Sequence, residues 1–491
     1  MIFERERLLF FDWHVVESSE NTQLTLNPPT KKGPCLFIDR EWELDGARAY
    51  SVLEWNGEFR LYYEINPGGD RVCFALAASR DGINWEKPNL GAVSFNGSSS
   101  NNIVDVQGEY VGGACVFVDP TGPDDHRFKL LGHNPHEGMF LLTSPDGLCF
   151  KRQTGCLLAH NPDSLVSAFY DPRVGKYRVY IRAWNRERPI EQVPGSRTIT
   201  MAELDTLFEP FPVDPNPPDP WPQKPPKKVF GDTEVSVMRR LNREIVPYVI
   251  APDEQDPPLA DLYQSAAIHY MPEVYFAFPT LYYHYPGPPE GFINDGILDI
   301  QFAASRDGRV WQRDLRGSYV RLDLPDGHCT KLLHLITGIV PWKHIMSQYY
   351  VGGSRTHGQG RKPGVAKPKE PTNRSGKPFC HRLEQRLDGF VSADSAYMGG
   401  HLITKPFISG SRLLLNIDTS ASGVASAALL DEQGKEIQGF TLDECDRIQG
   451  NDTQYEVTWN HGADLSRIRG HAVRLHLRSR STKLFAVTTT D

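Results

Sequence analysis

No apolar run in this 491-residue chain approaches the roughly 18 residues that a bilayer-spanning helix needs. Helical periodicity is nearly absent, which argues against an α or α/β architecture. The eight cysteines stand at 35, 73, 115, 149, 156, 329, 380 and 445, and no CxxC pair occurs among them. That scatter argues against a zinc ribbon and against a disulfide framework, and it predicts buried free thiols without a metal site or cofactor. No glycine-rich nucleotide loop and no GxSxG nucleophile motif is present. The formal net charge of −8 argues against a dedicated nucleic-acid binder. Glu4, Arg5, Glu6 and Arg7 occupy the place where a signal peptide would be apolar, so the sequence predicts a cytoplasmic protein without membrane attachment.

What is plentiful is turn chemistry. The chain carries 42 glycines and 38 prolines, and it punctuates short alternating runs with them, as turn-rich β proteins do. A repeat organises these runs. SRDGINW at 79–85, SPDGLCF at 144–150 and SRDGRVW at 305–311 share the pattern Ser-x-Asp-Gly-x-x-aromatic, and each follows an alternating strand. Asp-Gly suits a tight turn, because glycine accepts positive φ and aspartate bonds its own backbone. The first two repeats are 65 residues apart and the next two 161 apart, so one unit between them lacks the motif near residues 197–210. Radial repetition of four-stranded sheets is the propeller solution to exposed strand edges. The sequence therefore predicts an all-β protein with a five-bladed β-propeller over 34–385, after an N-terminal segment 1–33.

From about Leu387 the blade motif disappears, and short strands such as SRLLLNIDT and HAVRLHLRS alternate with polar turns. Residues 386–491 read as a jelly-roll-like β-sandwich. Residues 205–228 contain nine prolines and read as an extended loop. Residues 351–382 hold eight Lys or Arg against one Glu and are expected to project as a basic arm. One reading of that arm is a solvated loop; the other is an arm that reaches a neighbouring subunit of a homo-oligomer or an anionic sugar.

The stretches SRDGINWEKPNLGAVSFNGSSSNNIV, SAFYDPRVGKYRVYIRAW and NDGILDIQFAASRDGRVWQR resemble bacterial proteins similar to the propeller domain of glycoside hydrolase families 32 and 43. The tail from Leu387 resembles the sandwich that closes those chains. The resemblance implies a small sugar in the propeller funnel, approached by three carboxylates from different blades. The family 32 motif Asn-Asp-Pro-Asn is absent, and no Arg precedes Asp171 and Pro172. The acids are therefore chosen by their place ahead of each first strand.

Glu43 and Asp45 precede the first blade, two apart and on one face if extended. Asp163 precedes the third blade, while Glu234 and Asp261 compete for the fourth, with Asp232 behind them. Asp171 and Asp295 read as turn residues. These acids would supply a proton donor and a base or nucleophile. Arg182, His133, His136, Trp184 and His328 are candidate substrate contacts, the Trp by stacking on a sugar ring. The expected activity is that of a glycoside hydrolase or transglycosidase on an oligosaccharide or glycoside, with a fructosyl or arabinosyl furanoside as the expected unit. A non-catalytic carbohydrate-binding propeller is one alternative. A sialidase-like enzyme is the other; it would need an arginine cluster, for which Arg182, Arg239 and Arg355 are the sequence candidates.

Overall fold

A computed structural model describes the chain except residues 1–6, 67–72, 135–136, 154, 186–195, 212–226, 229–233, 236–245, 289–290, 293, 363–373 and 491. The described residues are almost entirely strand and turn, in agreement with the missing helical period. No described helix is long and apolar enough to cross a membrane. Two compact units emerge, and neither is contiguous in sequence: 30–342 with 347–384, and 1–29 with 343–346 and 385–491.

Besides a two-stranded ladder of Lys227–Lys228 and Glu234–Val235, the described residues of the larger unit form five antiparallel sheets that follow one another along the chain. Sheet I comprises Ala47–Trp55, Glu58–Ile65, Cys73–Ser79 and Ile103–Val104. Sheet II comprises Gly112–Val118, Phe128–Asn134, Gly138–Ser144 and Lys151–Arg152. Sheet III comprises Ser167–Asp171, Lys176–Asn185, Ser196–Leu204 and Tyr248–Ile250. In sheet IV, Ala260–Met271 pairs with Val274–His284, which pairs in turn with Gly296–Ile300 and Ala303–Ser305. Sheet V orders Leu332–Leu335, Ile345–Gly353, Pro378–Arg386 and Thr30–Phe37, with Val340–Trp342 along the second of these. Its last strand comes from the start of the chain.

The first strands of the five sheets are neighbours in a closed series. Val116 N donates to Ser51 Oγ (3.1 Å), and Val166 N to the Gly113 carbonyl (2.7 Å). Ser167 Oγ donates to the Ser265 carbonyl (2.8 Å), and Tyr263 packs on His334 with ring centroids 5.3 Å apart. Thr337 N returns to the Tyr50 carbonyl (3.0 Å), which brings the fifth sheet back to the first.

The three Asp-Gly turns are built alike. Asp81, Asp146 and Asp307 each accept from the Ser two residues earlier, at 3.0, 2.9 and 3.0 Å. Each also accepts from the backbone N–H two residues later, at 2.8, 2.9 and 2.8 Å. Gly82, Gly147 and Gly308 take φ of 67°, 78° and 70°, the left-handed region that glycine enters without a Cβ clash. A tyrosine from the second strand of the preceding sheet then latches each turn. Tyr62 donates to the Gly147 carbonyl (3.1 Å), Tyr180 to that of Gly308 (2.7 Å), and Tyr349 to that of Gly82. The same rings stand edge-on to the motif aromatics Phe150, Trp311 and Trp85 at interplanar angles of 82°, 83° and 83°. One turn sequence thus serves as both a hairpin and a socket for its neighbour.

A second device recurs at the far ends of the first strands. Asp119 is buried between Lys129 (2.7 Å) and Tyr177 (2.5 Å), and Asp171 between Arg178 (2.9 Å) and Tyr275 (2.6 Å). Each tyrosine comes from the next sheet. Asp171 is therefore bound into inter-sheet packing, and Asp295 caps a turn by accepting from Gly296 N (2.8 Å) and Gly358 N (2.7 Å).

The basic arm is shorter than the sequence implies. Residues 351–353 and 378–382 lie in strands of sheet V, because Ile345–Gly353 and Pro378–Arg386 bury most of their side chains on either side of the glycine-, proline- and lysine-rich stretch. Residues 363–373 lie outside the described residues.

The smaller unit consists of two antiparallel sheets. One orders Thr22–Leu26, Val391–Ser395, Thr482–Thr490, Arg412–Asp418 and Asn451–Glu456, with Arg7–Leu9 against Thr482–Thr490. The other orders Val16–Glu20, Gly400–Thr404, Ala472–Arg480 and Phe407–Ile408, with Val424–Leu430 against Ala472–Arg480. One apolar cluster containing Leu413, Leu415, Leu429, Trp459, Leu475 and Leu477 packs residues of both. The N-terminal segment is thus shared out: three of its strands join this unit, and Thr30–Phe37 completes sheet V. A cavity of about 410 Å³ in this unit is lined by Glu20, His401, Ser426, Arg478 and Arg480.

Candidate functional site

Side chains with unusual surroundings gather where the five first strands begin. Sheet I contributes Arg48, Tyr50 and Glu64. Asn56 and Gly57 both take positive φ (52° and 75°) in the two-residue turn that sets the register of its first hairpin. From that turn the pairing runs Trp55↔Glu58 to Ser51↔Tyr62, and a bulge then shifts it by one, so that Arg48 stands opposite Glu64. Bulges of this kind re-aim side chains at functional rims. The Tyr50 hydroxyl donates to Glu64 Oε2 at 2.7 Å. Burial raises the Glu64 pKa above the ordinary glutamate value, against the lowering effect of the Tyr50 hydrogen bond and the Arg48 charge. Burial also works against the Arg48 charge, but Tyr50, Tyr263, Glu64 and Asp163 outweigh it and make this guanidinium more basic than usual.

Sheet III contributes Asp163. Asn161 Oδ1 accepts from Asp163 N (3.1 Å) and holds a turn in which Asp163 takes φ of 50°. A non-glycine residue there is uncommon, although Asp and Asn tolerate it best. The Asp163 side chain is 56% exposed, and its Oδ2 accepts from Arg182 Nη2 at 3.0 Å. The same nitrogen donates to the Asp163 carbonyl at 2.8 Å. Arg182 is buried, with its guanidinium 4.7 Å from the Tyr263 ring centre. Below it, His133 Nε2 lies 3.1 Å from the Ser164 carbonyl, and burial depresses the His133 pKa to about 4.

Tyr263, from sheet IV, is the hub. Its hydroxyl meets His357 Nε2 at 3.1 Å, and its ring also touches Tyr282, His334 and the Arg197 guanidinium. Arg197 is anchored from behind by the fully buried Asp261, whose Oδ2 accepts from Arg197 Nη1 (2.8 Å) and N (3.1 Å) and meets His284 Nε2 at 3.3 Å. Burial pushes the Asp261 pKa up, but Arg197 and His284 bring it below the ordinary value. Sheet V supplies His334, buried against Tyr263 and with no partner for its Nδ1 among the described residues. Its pKa lies well below the usual histidine value through burial and then through Arg48, His357 and Arg182. Tyr110, ahead of sheet II, is 43% exposed and feels both Glu64 and Asp163.

The acids chosen from sequence thus fall in different places. Asp163 and Asp261 reach this cluster, the first at its surface and the second behind Arg197. Glu43 is enclosed elsewhere and accepts from Asp39 N (3.1 Å), Arg40 N (3.2 Å), Tyr63 (2.7 Å) and Lys87 (2.7 Å). Asp45 is half-buried in the turn that follows it. Glu234 lies in a short ladder with Lys227–Lys228, and its side chain is outside the described residues, as are Asp232, Arg239 and His136. Arg182 and His133 belong to the cluster, and Trp184 lies under the Arg197 guanidinium at 4.5 Å. His328 is exposed beside His381, and Arg355 is exposed on another loop. The residues that sequence reasoning missed are Arg48, Tyr50, Glu64, Tyr110, Arg197, Tyr263, His334 and His357. No group of three or more potential metal ligands occurs among the described residues.

No family model matches the chain, and no curated protein matches it. Solved structures similar to it include a glycosyl hydrolase from Bacteroides ovatus, 12% identical with a TM-score of 0.41, over 73% of this chain and 94% of that one. An α-L-arabinofuranosidase from Clostridium thermocellum is 12% identical with a TM-score of 0.33, over 62% and 82% of the two chains. An N-acetylgalactosamine deacetylase from F. plautii, in complex with blood group B trisaccharide, is 11% identical with a TM-score of 0.42, over 75% and 96%. Different activities are represented among these structures.

Proposed function

We propose that the five sheets are the blades of a five-bladed propeller, and that the cluster at the starts of their first strands is the active site of a glycoside hydrolase or transglycosidase. The carrying observation is the contrast between two carboxyl groups around Arg48. Glu64 is half-buried with a raised pKa, while Asp163 is mostly exposed and ion-paired with Arg182. Cleavage of a glycosidic bond needs this kind of division: a carboxylic acid that protonates the leaving oxygen, and a carboxylate that attacks or activates water. Glu64 is the proton donor in this reading and Asp163 the base or nucleophile. Tyr110 offers an exposed ring for a sugar face, and Asp261 acts through Arg197 as a positioning residue. A small furanoside is the substrate suggested by the sequence resemblance at 79–104.

The test is hydrolysis of a panel of aryl furanosides and pyranosides by the full chain and by Asp163→Asn. Turnover on at least one glycoside, falling about 10²–10⁴-fold in Asp163→Asn with little change in substrate binding, is the expected result. Full activity in Asp163→Asn would defeat the assignment. Tight glycan binding without turnover would favour a carbohydrate-binding protein instead.

A further inference from the structure

Arg48 differs from the other two arginines of the cluster. Arg197 is neutralised by Asp261 at 2.8 Å and Arg182 by Asp163 at 3.0 Å. Arg48 makes no ion pair among the described residues, although Glu64 stands opposite it in the ladder. Its guanidinium instead lies 5.7 Å from the Tyr50 ring centre. Asp163 and Asp261 are each bound to another arginine, so neither is an ion-pair partner for the Arg48 guanidinium.

His334 adds a second, independent observation. It is 8% exposed, and its Nδ1 has no hydrogen-bond partner among the described residues. A buried polar atom favours a partner, and one at the edge of a site can find it in a ligand atom. Arg48 and Arg182 both act on this imidazole and help keep it uncharged. A neutral imidazole still offers one N–H donor. A guanidinium beside a further donor matches the planar oxygens of an oxyanion, which Arg binds in bidentate fashion. A neutral sugar would leave the half-buried Arg48 guanidinium without an ion-pair partner.

We propose that Arg48, with His334 and Arg182 beside it, forms an oxyanion subsite within this active site. Its occupant is the carboxylate of an acidic sugar unit or a free phosphate held next to the sugar. The proposal rests on the reading that a sugar binds at Glu64 and Asp163, and it narrows the substrate class to an anionic glycoside or a phosphate-dependent reaction.

The test is calorimetric titration of the full chain with matched pairs, glucuronate against glucose and galacturonate against galactose, and separately with inorganic phosphate. At least one acidic sugar, or phosphate, is expected to bind roughly 10- to 100-fold more tightly than the neutral sugars, as a charge-assisted bidentate contact provides. Arg48→Met abolishes that preference, Arg48→Lys keeps part of it, and an unchanged melting temperature shows that the fold is intact. If only phosphate shows the preference, the oxyanion is the free ion; if an acidic sugar does, it is the substrate's own carboxylate. Equal binding of every acidic and neutral probe, or a preference that survives Arg48→Met, overturns the proposal. If Arg48→Met does not fold, His334→Phe provides the second variant and should weaken anion binding more than neutral-sugar binding, whereas an equal effect on both overturns the proposal. Glu64→Gln should retain the anion preference, so loss of the Glu64 assignment and loss of the subsite are seen in different measurements.

Discussion

At the scale of single residues, the argument turns on which protonation state each carboxyl prefers. Burial raises the Glu64 pKa, while the Tyr50 hydroxyl and Arg48 pull it back down. Removing the hydroxyl in Tyr50→Phe therefore raises the Glu64 pKa further. An acid catalyst works while protonated, so the alkaline limb of the activity profile should move to higher pH in Tyr50→Phe. A limb that moves to lower pH would show that Glu64 is not the acid. This residue was hard to find in the sequence. Asn56-Gly57 marks the hairpin, but unbulged counting from that turn pairs Arg48 with Ile65 instead of Glu64. Glu43, by contrast, was conspicuous in sequence as an acid ahead of a strand, yet four donors enclose it. Sequence shows that an acid lies near a strand start; it does not show how many donors already hold it.

At the scale of elements, the Asp-Gly turns were legible because their chemistry is local. Ser, Asp and Gly satisfy one another within a few residues, so the pattern and the structure coincide at all three sites. Their partners were not legible, since Tyr62, Tyr180 and Tyr349 come from neighbouring sheets. Gly147→Ala would place a methyl against the Tyr62 hydroxyl and within 2.8 Å of Phe128, at a φ that L-residues disfavour. Positive φ strains alanine by about 1–2 kcal/mol at either site, and we expect about 1–3 kcal/mol more to be lost in chemical denaturation at Gly147 than at Gly57, where the Cβ would meet no neighbour within 4 Å. Equal losses at the two sites would remove the socket from the account. The Asp119–Lys129 pair has its own pH signature. Burial works against the Asp119 charge, but the Lys129, Tyr177 and Thr121 hydrogen bonds bring its pKa down to about 2. A depressed folded-state pKa gives stability that is present above the unfolded value of roughly 4 and is lost as pH falls towards 2. Lys129→Met leaves the carboxylate buried and unpaired, and should cost about 3–5 kcal/mol at neutral pH. The cost should shrink in acid, where denaturant titrations at several pH values would detect it.

At the scale of the whole molecule, the early chain does two jobs. Thr30–Phe37 pairs with Pro378–Arg386 to complete sheet V, and Arg7–Leu9, Val16–Glu20 and Thr22–Leu26 complete the two sheets of the smaller unit. Deleting residues 1–37 should therefore leave unpaired strand edges in both units and yield aggregated protein, visible by size-exclusion chromatography. A soluble, monodisperse product would contradict the assignment of those strands. The all-β class and the repeated sheets could be read from sequence because turn spacing is a one-dimensional signal. The placement of residues 1–33 could not, because strands such as TQLTL carry no mark of the distant partner that pairs with them. The central claim is that Glu64 donates a proton to the leaving group. Its most direct test compares Glu64→Gln with the unaltered chain on two aryl glycosides of one sugar, one with a poor leaving group and one with a good one. The account predicts a loss of about 10²–10⁴-fold on the poor leaving group and a much smaller loss on the good one, which needs no protonation to depart. Equal losses on both, or no loss on either, would contradict it.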